Sequence, residues 1–332
     1  MSPLSERHSE EHQVVVHADA DLFPQAQFAQ ELIESAGFDY VPLSASTARI
    51  PEYIAPLAVA LLCSRATVDK SVIDGLSRCR VIVRLGAGLD NIDVDAARGA
   101  GIQVTHVPHY CADEVAEHTF ALLFACERRI AFCDAEMRER RWPTYAELGP
   151  MRRVRGLRLG VVGFGRIGQR VASIGRSFGM EVIAHDLRTT PSTIGVECVS
   201  MHEVLATADV LSLHLPLTME TRHWLGEDQI AMLRPGVTLL NTGRGGLIDE
   251  DALFDGLQAG VIRAAGLDVF ETEPHPAERL VRHPRVVSSP HSAALSDSAL
   301  RELFVTGAED AVAVLRGEAP QHPVETRTND GD

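Results

Sequence analysis

Short apolar runs alternate with stretches of helical periodicity along the first hundred residues. Phe23–Gly37 has helical spacing and ends at a glycine, a residue that commonly terminates helices. Alternation of this kind is typical of parallel strands joined by crossover helices, so it predicts an α/β fold. The strand-like runs are Val14–His17, Val59–Cys63, Val81–Leu85 and Ile102–Thr105, and Asp69–Leu76 is a further helical stretch.

A second series of the same kind begins at Leu157. Helical stretches fill most of the gaps between its apolar runs, which predicts a complete Rossmann-type domain with a doubly wound parallel sheet. After the last run, Ser296–Leu315 has the pattern of one more helix. The strand candidates are Leu157–Val162, Glu181–His185, Val210–His214, Val237–Asn241, Ala264–Val269 and Val286–Ser289.

The segment between the two series has continuous helical periodicity from Asp113 to about Arg140. Acidic residues at its start and arginines at its end match the helix dipole. The pattern predicts the longest helix of the chain, which would serve as a bridge or a dimer element. Trp142 follows it, and we expect this side chain to pack against the protein.

Composition narrows the class of protein without naming its chemistry. The length of 332 residues suggests two domains, and 45% hydrophobic with 23% charged residues is an ordinary globular mixture. The net charge of −15 argues against nucleic acid or an anionic membrane surface as a partner. The first residues, up to Gln13, are polar, so we expect a disordered tail rather than a secretory signal. Six cysteines without a CxxC pair are typical of reduced thiols, so we expect a cytoplasmic protein.

A glycine-rich turn follows the first strand candidate of the second series. Gly163, Gly165 and Gly168 form a GxGxxG pattern between a strand and a helix. In a dinucleotide-binding turn, the first glycine permits the tight bend, the second lets the backbone approach a pyrophosphate, and the third allows close helix–strand packing. The helix N-terminus then offers N–H groups to the phosphates. This context favours a dinucleotide site over a glycine-rich turn without a nucleotide.

Asp186 ends the next strand candidate and bears on the choice of cofactor. An acidic side chain at this position accepts hydrogen bonds from ribose hydroxyls and repels a 2′-phosphate. The residue therefore favours NAD over NADP. Arg188 lies two residues further on, where an arginine could accept the phosphate of NADP.

Reactive side chains follow three late strand candidates. Because ligands bind at the carboxyl ends of strands in open α/β sheets, these side chains are candidates for a catalytic set. They are Arg244 in a glycine-containing turn, the carboxylates Asp268, Glu271 and Glu273, and His291 directly after Pro290.

An arginine, a carboxylate and a histidine together suit hydride transfer at a 2-keto or 2-hydroxy acid. The arginine can bind a carboxylate bidentately and polarise the adjacent carbonyl. The histidine can donate or accept the hydroxyl proton, and a carboxylate behind it fixes its tautomer. Taken singly, each residue could be a solvated loop charge or a helix cap; their joint placement favours catalysis. His106 and His109 lack further ligands, so we expect no metal site.

The chain resembles the D-isomer-specific 2-hydroxyacid dehydrogenase family from about Leu61 to Pro323. The order and number of the matching motifs carry the resemblance. They are Leu85–Asp93, Glu114–His118, Gly163–Gly168, His214–Thr218, Asn241–Gly245, Leu267–Pro274 and Pro290-His291.

The resemblance implies a role for each candidate residue. Arg244 would bind substrate, and His291 would be the acid/base, oriented by Glu273 rather than Glu271. Asp268 would contact the nicotinamide carboxamide. The substrate-binding residues would be Leu85, Gly86, Ala87, Gly88, Arg244 and His291. The remaining cofactor contacts would come from Gly163, Gly165, Arg166, Ile167, Gly168, Asp186, His214, Pro216, Thr242 and Gly243.

The resemblance also implies the domain organisation and the function. Residues 1–107 and 291–332 would form a smaller, flavodoxin-like α/β substrate domain, and residues 108–290 an NAD-binding Rossmann domain. A homodimer would form through the nucleotide domain. The protein would be an NAD-dependent oxidoreductase, transferring a hydride between nicotinamide and C2 of a small anionic (D)-2-hydroxy acid or 2-keto acid.

Two alternatives remain open within the family. Tyr110-Cys111 and the segment after His291 are most similar to the branch related to C-terminal-binding-protein corepressors, which leaves an NAD(H)-sensing binding protein as one alternative. That branch carries an aromatic residue shortly after the histidine, where this chain has Ala294-Leu295-Ser296. The same motifs also fit a dehydrogenase of a phosphonate or phosphite anion. Glu273 argues against a formate dehydrogenase, which would have glutamine there.

Overall fold

The computed structural model describes residues 13–46, 50–187 and 195–325 of the chain. The expectations for residues 1–12 and for Arg188 lie outside these ranges. The strands are β1 (Val14–His17), β2 (Asp39–Pro42), β3 (Ala58–Cys63), β4 (Val81–Arg84), β5 (Gln103–His106), β6 (Arg158–Val162), β7 (Glu181–His185), β8 (Glu197–Cys198), β9 (Val210–Leu213), β10 (Val237–Asn241), β11 (Ile262–Leu267) and β12 (Val286–Ser288). The α-helices are α1 (Ala26–Ser35), α2 (Lys70–Ile73), α3 (Val94–Gly99), α4 (Ala112–Arg128), α5 (Ile130–Arg138), α6 (Tyr145–Leu148), α7 (Arg166–Ser177), α8 (Met201–Thr207), α9 (Glu227–Met232), α10 (Glu250–Gln258), α11 (Glu278–Val281) and α12 (Asp297–Leu315).

The chain divides into two compact units. Met1–Tyr110 and Ser296–Asp332 form one, here called the flanking unit, and Cys111–Leu295 forms the other, the central unit. The domain boundaries expected from the sequence lie after residues 107 and 290. Residues 291–295 fall in the central unit, where Asp268 accepts hydrogen bonds from the backbone N–H groups of Ser292 and Ala293. The substrate-binding role expected of the flanking unit stays a prediction.

In the flanking unit, five parallel strands form a sheet in the order β2-β1-β3-β4-β5. This is the flavodoxin-like strand order. Strand β3 is apolar along its whole length and all six of its residues are buried, as a parallel strand covered on both faces requires. Helix α12 packs against α1 and β4. It begins where Ser296 Oγ accepts a hydrogen bond from the N–H of Ala299 at 2.9 Å.

In the central unit, seven parallel strands form a sheet in the order β12-β11-β10-β9-β6-β7-β8. The chain runs outward from β6 to β8 on one side and from β9 to β12 on the other, which is the doubly wound Rossmann arrangement. Helix α4 packs against α7 and β11, while α8 packs against β6 and α10 against β11. The α/β fold class expected from the sequence is confirmed.

All ten strands expected from the sequence are present, each within two residues of its expected ends. Strands β2 and β8 were missed because neither has a continuous apolar run. The end residues of β2 are exposed, and both residues of β8 are exposed. Each lies at an edge of its sheet, where a strand pairs with a neighbour on one side only and polar residues are tolerated.

The prediction of one long helix from Asp113 to Arg140 is wrong. The helix breaks at Arg129, which has a left-handed φ of 52° and separates α4 from α5. The Arg129 guanidinium holds this break by donating to the carbonyls of Glu147 and Leu148 at 3.0 and 2.7 Å. The longest helix is instead α12, with 19 residues. The expectation that Trp142 packs is also wrong, because this side chain is 85% exposed.

A buried carboxylate ties α4 to the central sheet. Glu127 is fully buried and accepts hydrogen bonds from Arg152, at 2.5 and 3.0 Å, and from Thr238 Oγ at 2.6 Å. Arg263 Nε lies 3.7 Å from the same carboxylate. Burial acts to raise the pKa of Glu127, but Arg152 and Thr238 outweigh it and hold the pKa below its usual value. The charge is therefore kept inside the unit by its partners.

Two further features concern the chain as a whole. Its six cysteines are free thiols, four of them buried. In the part of the chain that the structure describes, none of the helices has the length and apolar character needed to cross a membrane.

Candidate active site

The candidate residues of the central unit follow the carboxyl ends of its parallel strands. His291 follows β12, Asp268 and Glu273 follow β11, and Arg244 follows β10. Beyond β9, the glycine turn follows β6 and Asp186 follows β7. Because the strand order reverses between β9 and β6, this edge is the switch point at which open α/β sheets bind ligands.

His291 and Glu273 form a hydrogen-bonded pair. His291 Nδ1 lies 2.6 Å from Glu273 Oε2, and the side chains are 38% and 30% exposed. The other carboxylate oxygen accepts the N–H of Phe270 at 3.0 Å, which fixes the carboxylate against the loop backbone. Since an ionised carboxylate only accepts hydrogen bonds, Nδ1 carries the proton of this contact. The pair has the geometry of an acid/base histidine oriented by a carboxylate.

Glu271, the other glutamate of this loop, faces a different partner. It forms an ion pair with His223 Nε2, and its backbone N–H donates to Glu250 Oε1 at 2.8 Å. Burial raises the pKa of Glu250, with the Glu271 charge adding to the effect. The structure therefore brings Glu273, and not Glu271, to His291.

The turn that carries Arg244 is ordered by Asn241. The Asn241 side chain accepts the N–H of Gly243 at 3.1 Å and donates to the carbonyl of Arg244 at 2.9 Å. Arg244 Nη1 donates to the carbonyl of Gly243 at 2.8 Å, and the Arg244 side chain is half-buried. The turn thus holds the guanidinium stem at the end of β10.

Gly245 lets this turn approach the loop after β11. A Cβ atom at position 245 would overlap the backbone carbonyl of Phe270 and lie 2.5 Å from the N of Glu271. Contacts this short do not occur for real side chains, so only glycine fits. The close approach places the Arg244 turn directly against the loop that carries Glu273.

Asp268 is a buried clamp for the segment around His291. Its carboxylate is 1% exposed and accepts the N–H groups of Ser292 and Ala293, each at 2.9 Å, and Ser289 Oγ–H at 2.6 Å. Its backbone carbonyl accepts the N–H of His291 at 2.7 Å. His291 itself has a left-handed φ of 53°. The contact of Asp268 with nicotinamide, implied by the resemblance, stays a prediction.

The glycine turn has the shape that a pyrophosphate needs. Gly163 has φ 89°, and a Cβ atom there would lie 2.5 Å from the carbonyl oxygen of His214. A Cβ atom on Gly168 would overlap the carbonyl of Gly163, so the third glycine permits the close packing of α7. Next to Gly165, by contrast, a Cβ atom would meet nothing within 4 Å. The turn therefore leaves open space at the position where a phosphate has to approach the backbone.

Two neighbouring features complete the fit to a dinucleotide. Arg166 and Ile167 begin α7, so the helix N-terminus points its N–H groups at the turn. Asp186 Oδ2 accepts the N–H of Phe164 at 2.6 Å, which joins the end of β7 to the glycine turn. The open turn and the helix N-terminus offer N–H donors suited to a pyrophosphate, and the carboxylate of Asp186 is an acceptor suited to ribose hydroxyls; these cofactor contacts stay predictions.

The remaining cofactor candidates follow β9 and β10. Thr242 Oγ lies 2.9 Å from Thr119 Oγ, and His214 Nε2 lies 2.8 Å from Ser212 Oγ. The carbonyl of Pro216 accepts a hydrogen bond from Thr221 at 2.6 Å. Their contacts with the cofactor, and that of Gly243, stay predictions.

We expect His214 to make the protein less stable on the acid side. Burial lowers the pKa of His214 from 6.5 to about 4, so between these pH values the histidine is protonated in the unfolded chain and neutral in the folded protein. The free energy of unfolding should fall by about 2.5 kcal/mol as the pH drops from 6.5 to 4, and His214→Gln should lack this loss. Urea denaturation across this pH range measures the difference. The exposed His202, changed to glutamine, is the control that should follow the wild type; equal slopes for both variants would contradict the assignment.

The other substrate candidates, Leu85, Gly86, Ala87 and Gly88, follow β4 in the flanking unit. Gly86 has φ 143°, and its carbonyl accepts the N–H of Val107 at 3.1 Å. Their substrate-binding role stays a prediction.

The residues of the first histidine motif have other contacts. His106 Nδ1 lies 3.0 Å from the carbonyl oxygen of Ala87, and the ring of His109 meets that of His322 edge-on at 5.8 Å. Within residues 13–46, 50–187 and 195–325, no group of three or more His, Cys, Asp or Glu side chains is placed to hold a metal ion.

Two side chains of this edge, His118 and Ser289, have no role predicted from the sequence. His118 Nε2 lies 2.8 Å from Ser289 Oγ, which in turn reaches Asp268. A signal was present in the sequence: His118 has helical spacing with Val115 and Leu122, on the face of α4 that turns inward. A polar residue on such a face needs a hydrogen-bond partner.

The fold and the glycine turn define an α/β dinucleotide-binding protein. Residues 120–293 match the family model described as "D-isomer specific 2-hydroxyacid dehydrogenase, NAD binding domain". The chain belongs to the D-isomer specific 2-hydroxyacid dehydrogenase family, a family of oxidoreductases, and the cofactor of its central unit is NAD.

Similarity to individual proteins supports this membership. The chain is 41% identical over 267 residues to the D-3-phosphoglycerate dehydrogenase of Mycobacterium tuberculosis, covering 79% of this chain and 50% of that protein. It is 38% identical over 266 residues to the glyoxylate reductase of Thermococcus litoralis, covering 77% and 80%. The structure of D-lactate dehydrogenase from Aquifex aeolicus with NAD and lactic acid matches with a TM-score of 0.81 and 30% identity, covering 92% and 96%. The chain thus spans about half the length of the mycobacterial relative.

Proposed function

We propose that the protein is an NAD-dependent dehydrogenase that transfers a hydride between nicotinamide and C2 of a small (D)-2-hydroxy acid or its 2-keto partner. The observation that carries the proposal is the 2.6 Å contact between His291 Nδ1 and Glu273 Oε2, at the same sheet edge as the dinucleotide turn. Relatives named glyoxylate reductase, hydroxypyruvate reductase and D-lactate dehydrogenase act on acids of this class.

His291 acts as the acid/base in this proposal. In the reducing direction, the imidazolium ring gives its Nε2 proton to the carbonyl oxygen of the keto acid as the alcohol forms. The Nδ1 proton stays in the bond to Glu273, whose carboxylate stabilises the charged ring before the transfer. In the oxidising direction, the neutral ring takes the hydroxyl proton back.

Arg244 binds the anionic end of the substrate. A guanidinium group pairs with a carboxylate through two parallel hydrogen bonds and polarises the neighbouring carbonyl. When bound, NADH would supply the hydride in the reducing direction, and NAD⁺ would accept it in the oxidising direction. The chain as a whole carries −15, so this local positive charge is what allows an anionic substrate to bind.

A kinetic panel tests the proposal. NADH oxidation is followed with glyoxylate, hydroxypyruvate, pyruvate and 3-phosphohydroxypyruvate, and each assay is repeated with NADPH because Asp186 favours NADH. We expect turnover of at least one keto acid, and faster turnover with NADH. If calorimetry shows bound NADH but none of the acids is reduced, the proposal fails. NADH-dependent capture of a protein partner would then favour the corepressor-like alternative. Reduction of NAD by phosphite would favour a dehydrogenase of a phosphonate or phosphite anion.

We also propose that two copies of the chain associate through the central unit. The support is an exposed set of large apolar side chains on and beside α5 and α6: Ile130, Met137, Trp142 and Tyr145, exposed by 56%, 50%, 85% and 94%. Because all four lie between residues 130 and 145, they are candidates for one apolar patch, and a contiguous exposed apolar patch is typical of an interaction surface. We expect light scattering to give twice the chain mass of 36.1 kDa, and Trp142→Glu with Tyr145→Glu to shift it towards the monomer. A monomeric wild type at micromolar concentration would refute the proposal.

A further inference from the structure

His118 is a half-buried polar side chain that the proposed chemistry does not use. It lies on α4, and its side chain is 26% exposed. Its Nε2 atom is 2.8 Å from Ser289 Oγ and 3.6 Å from Asp268 Oδ1. The second distance is too long for a hydrogen bond, so any link from His118 to Asp268 runs through the serine hydroxyl.

The hydrogen count fixes the direction of this link. Ser289 has one hydroxyl proton, and Asp268 Oδ1, 2.6 Å away, belongs to a buried carboxylate that can only accept. The proton of Ser289 therefore points at Asp268. Ser289 Oγ must then accept from His118, which requires the proton of the His118 ring to be on Nε2.

Asp268, which accepts the hydrogen bond from Ser289, also binds three successive backbone N–H groups. Its carbonyl binds the N–H of His291 at 2.7 Å, and its carboxylate binds those of Ser292 and Ala293 at 2.9 Å. The left-handed φ of 53° at His291 costs about 1 kcal/mol or more for a residue other than glycine, so it persists only where neighbours hold it. The direction in which the His291 ring leaves the backbone, and so its contact with Glu273, depends on this clamp.

We propose that His118 is a positioning residue for His291. It donates through Nε2 to Ser289, Ser289 donates to Asp268, and Asp268 locks the backbone of residues 291–293 in the left-handed turn that presents the His291 ring to Glu273. The His118–Ser289–Asp268 relay carries no proton in the reaction; it sets geometry. The effect on turnover rests on the proposed dehydrogenase function, whereas the relay itself is tested without turnover.

Two measurements need no activity. In protein labelled with ¹⁵N-histidine, the His118 ring is expected to show the Nε2–H tautomer. In His118→Ala and in Ser289→Ala, amide hydrogen exchange at Ser292 and Ala293 is expected to accelerate about tenfold, because the clamp opens more often. His202→Ala makes the same change on α8, away from the relay, and is expected to exchange like the wild type.

The kinetic arm uses the keto acid found in the panel. His118→Ala is expected to lower kcat about tenfold with less than a twofold change in KM, because a displaced acid/base group slows the chemical step rather than binding. His118→Gln keeps an N–H donor of similar reach and should recover most of the loss. The double variant of His118→Ala and Ser289→Ala should be no slower than the worse single variant, since both break one relay.

Several results would overturn the relay. These are a His118 ring protonated on Nδ1, unchanged exchange at Ser292 and Ala293 in both single variants, or additive losses in the double variant. Because the tautomer is read on the wild-type protein, a variant that fails to fold leaves the test intact. If no keto acid is turned over but tautomer and exchange behave as expected, the proposed function fails and the relay stands.

Discussion

Replacing His291 with alanine is expected to lower kcat by about a thousandfold while NADH binds as it does to the wild type. The variant loses the group that supplies the hydroxyl proton, and Glu273 loses the ring it orients at 2.6 Å. The glycine turn and Asp186 lie beyond β9 and are untouched by the change. Steady-state kinetics with the best keto acid, together with calorimetric titration of NADH, measures both halves of the expectation.

Two further variants serve as a control and as a test of the partner carboxylate. His275 is exposed on the loop that follows Glu273, and His275→Ala should leave kcat within a factor of about two because it removes a histidine without touching the pair. Glu273→Gln keeps the shape of the partner but not its charge, and should cost about ten- to a hundredfold. A His291→Ala enzyme that keeps the wild-type kcat would remove His291 from the mechanism.

Replacing Glu127 with alanine is expected to cost about 3–5 kcal/mol in the free energy of unfolding. Glu127 is fully buried, and its removal leaves the Arg152 guanidinium, 23% exposed, without its carboxylate beside Thr238. A largely buried charge left without its counter-ion is only partly compensated by water and by neighbouring carbonyls. Because the partners hold the pKa of Glu127 below its usual value of 4.5, the contribution is full above that pH and is lost as the pH falls below it. Urea denaturation at pH 7 and pH 4 measures both effects.

The exposed pair of Glu278 and Arg282 provides the control for this measurement. Its side chains are 76% and 79% exposed, so Glu278→Ala should cost no more than about 0.5 kcal/mol. The double change of Glu127→Leu with Arg152→Met removes both charges of the closest pair and leaves only the Arg263 guanidinium without the carboxylate, so it should recover part of the loss. A Glu127→Ala variant as stable as Glu278→Ala would show that the buried pair contributes nothing to the central unit.

The sequence predicts the strands well because a parallel strand covered on both faces is largely apolar. Strand β3 is apolar throughout, and the apolar runs of β10, β11 and β12 locate Arg244, Asp268 and His291 at their carboxyl ends. The edge strand β8 escapes the rule because its residues are exposed. The break at Arg129 is held by carbonyls eighteen or more residues away, so no local pattern could signal it.

The candidate site likewise has parts that a local sequence pattern predicts and parts that depend on contacts between residues distant in the chain. The spacing of Gly163, Gly165 and Gly168 is local, so a dinucleotide turn can be inferred from the chain itself. The choice between Glu271 and Glu273 rests on whether His223 or His291 lies nearby, and those contacts span 48 and 18 residues. Spacing left this choice open, and only the resemblance to a family favoured Glu273. The contact of His118 with Ser289 spans 171 residues, and no pattern in the chain indicated its partner.

The reversal of strand order between β6 and β9 has a consequence for how such a protein can be rebuilt. Among the cofactor candidates, the glycine turn and Asp186, the residue that favours NAD over NADP, are encoded between positions 163 and 186, and the acid/base pair with its arginine between positions 244 and 291. The segment from β8 to β10 separates these two blocks along the chain. A recombination event in that interval would exchange cofactor preference as one inherited module and leave the proton-transfer machinery on the other side of the crossover.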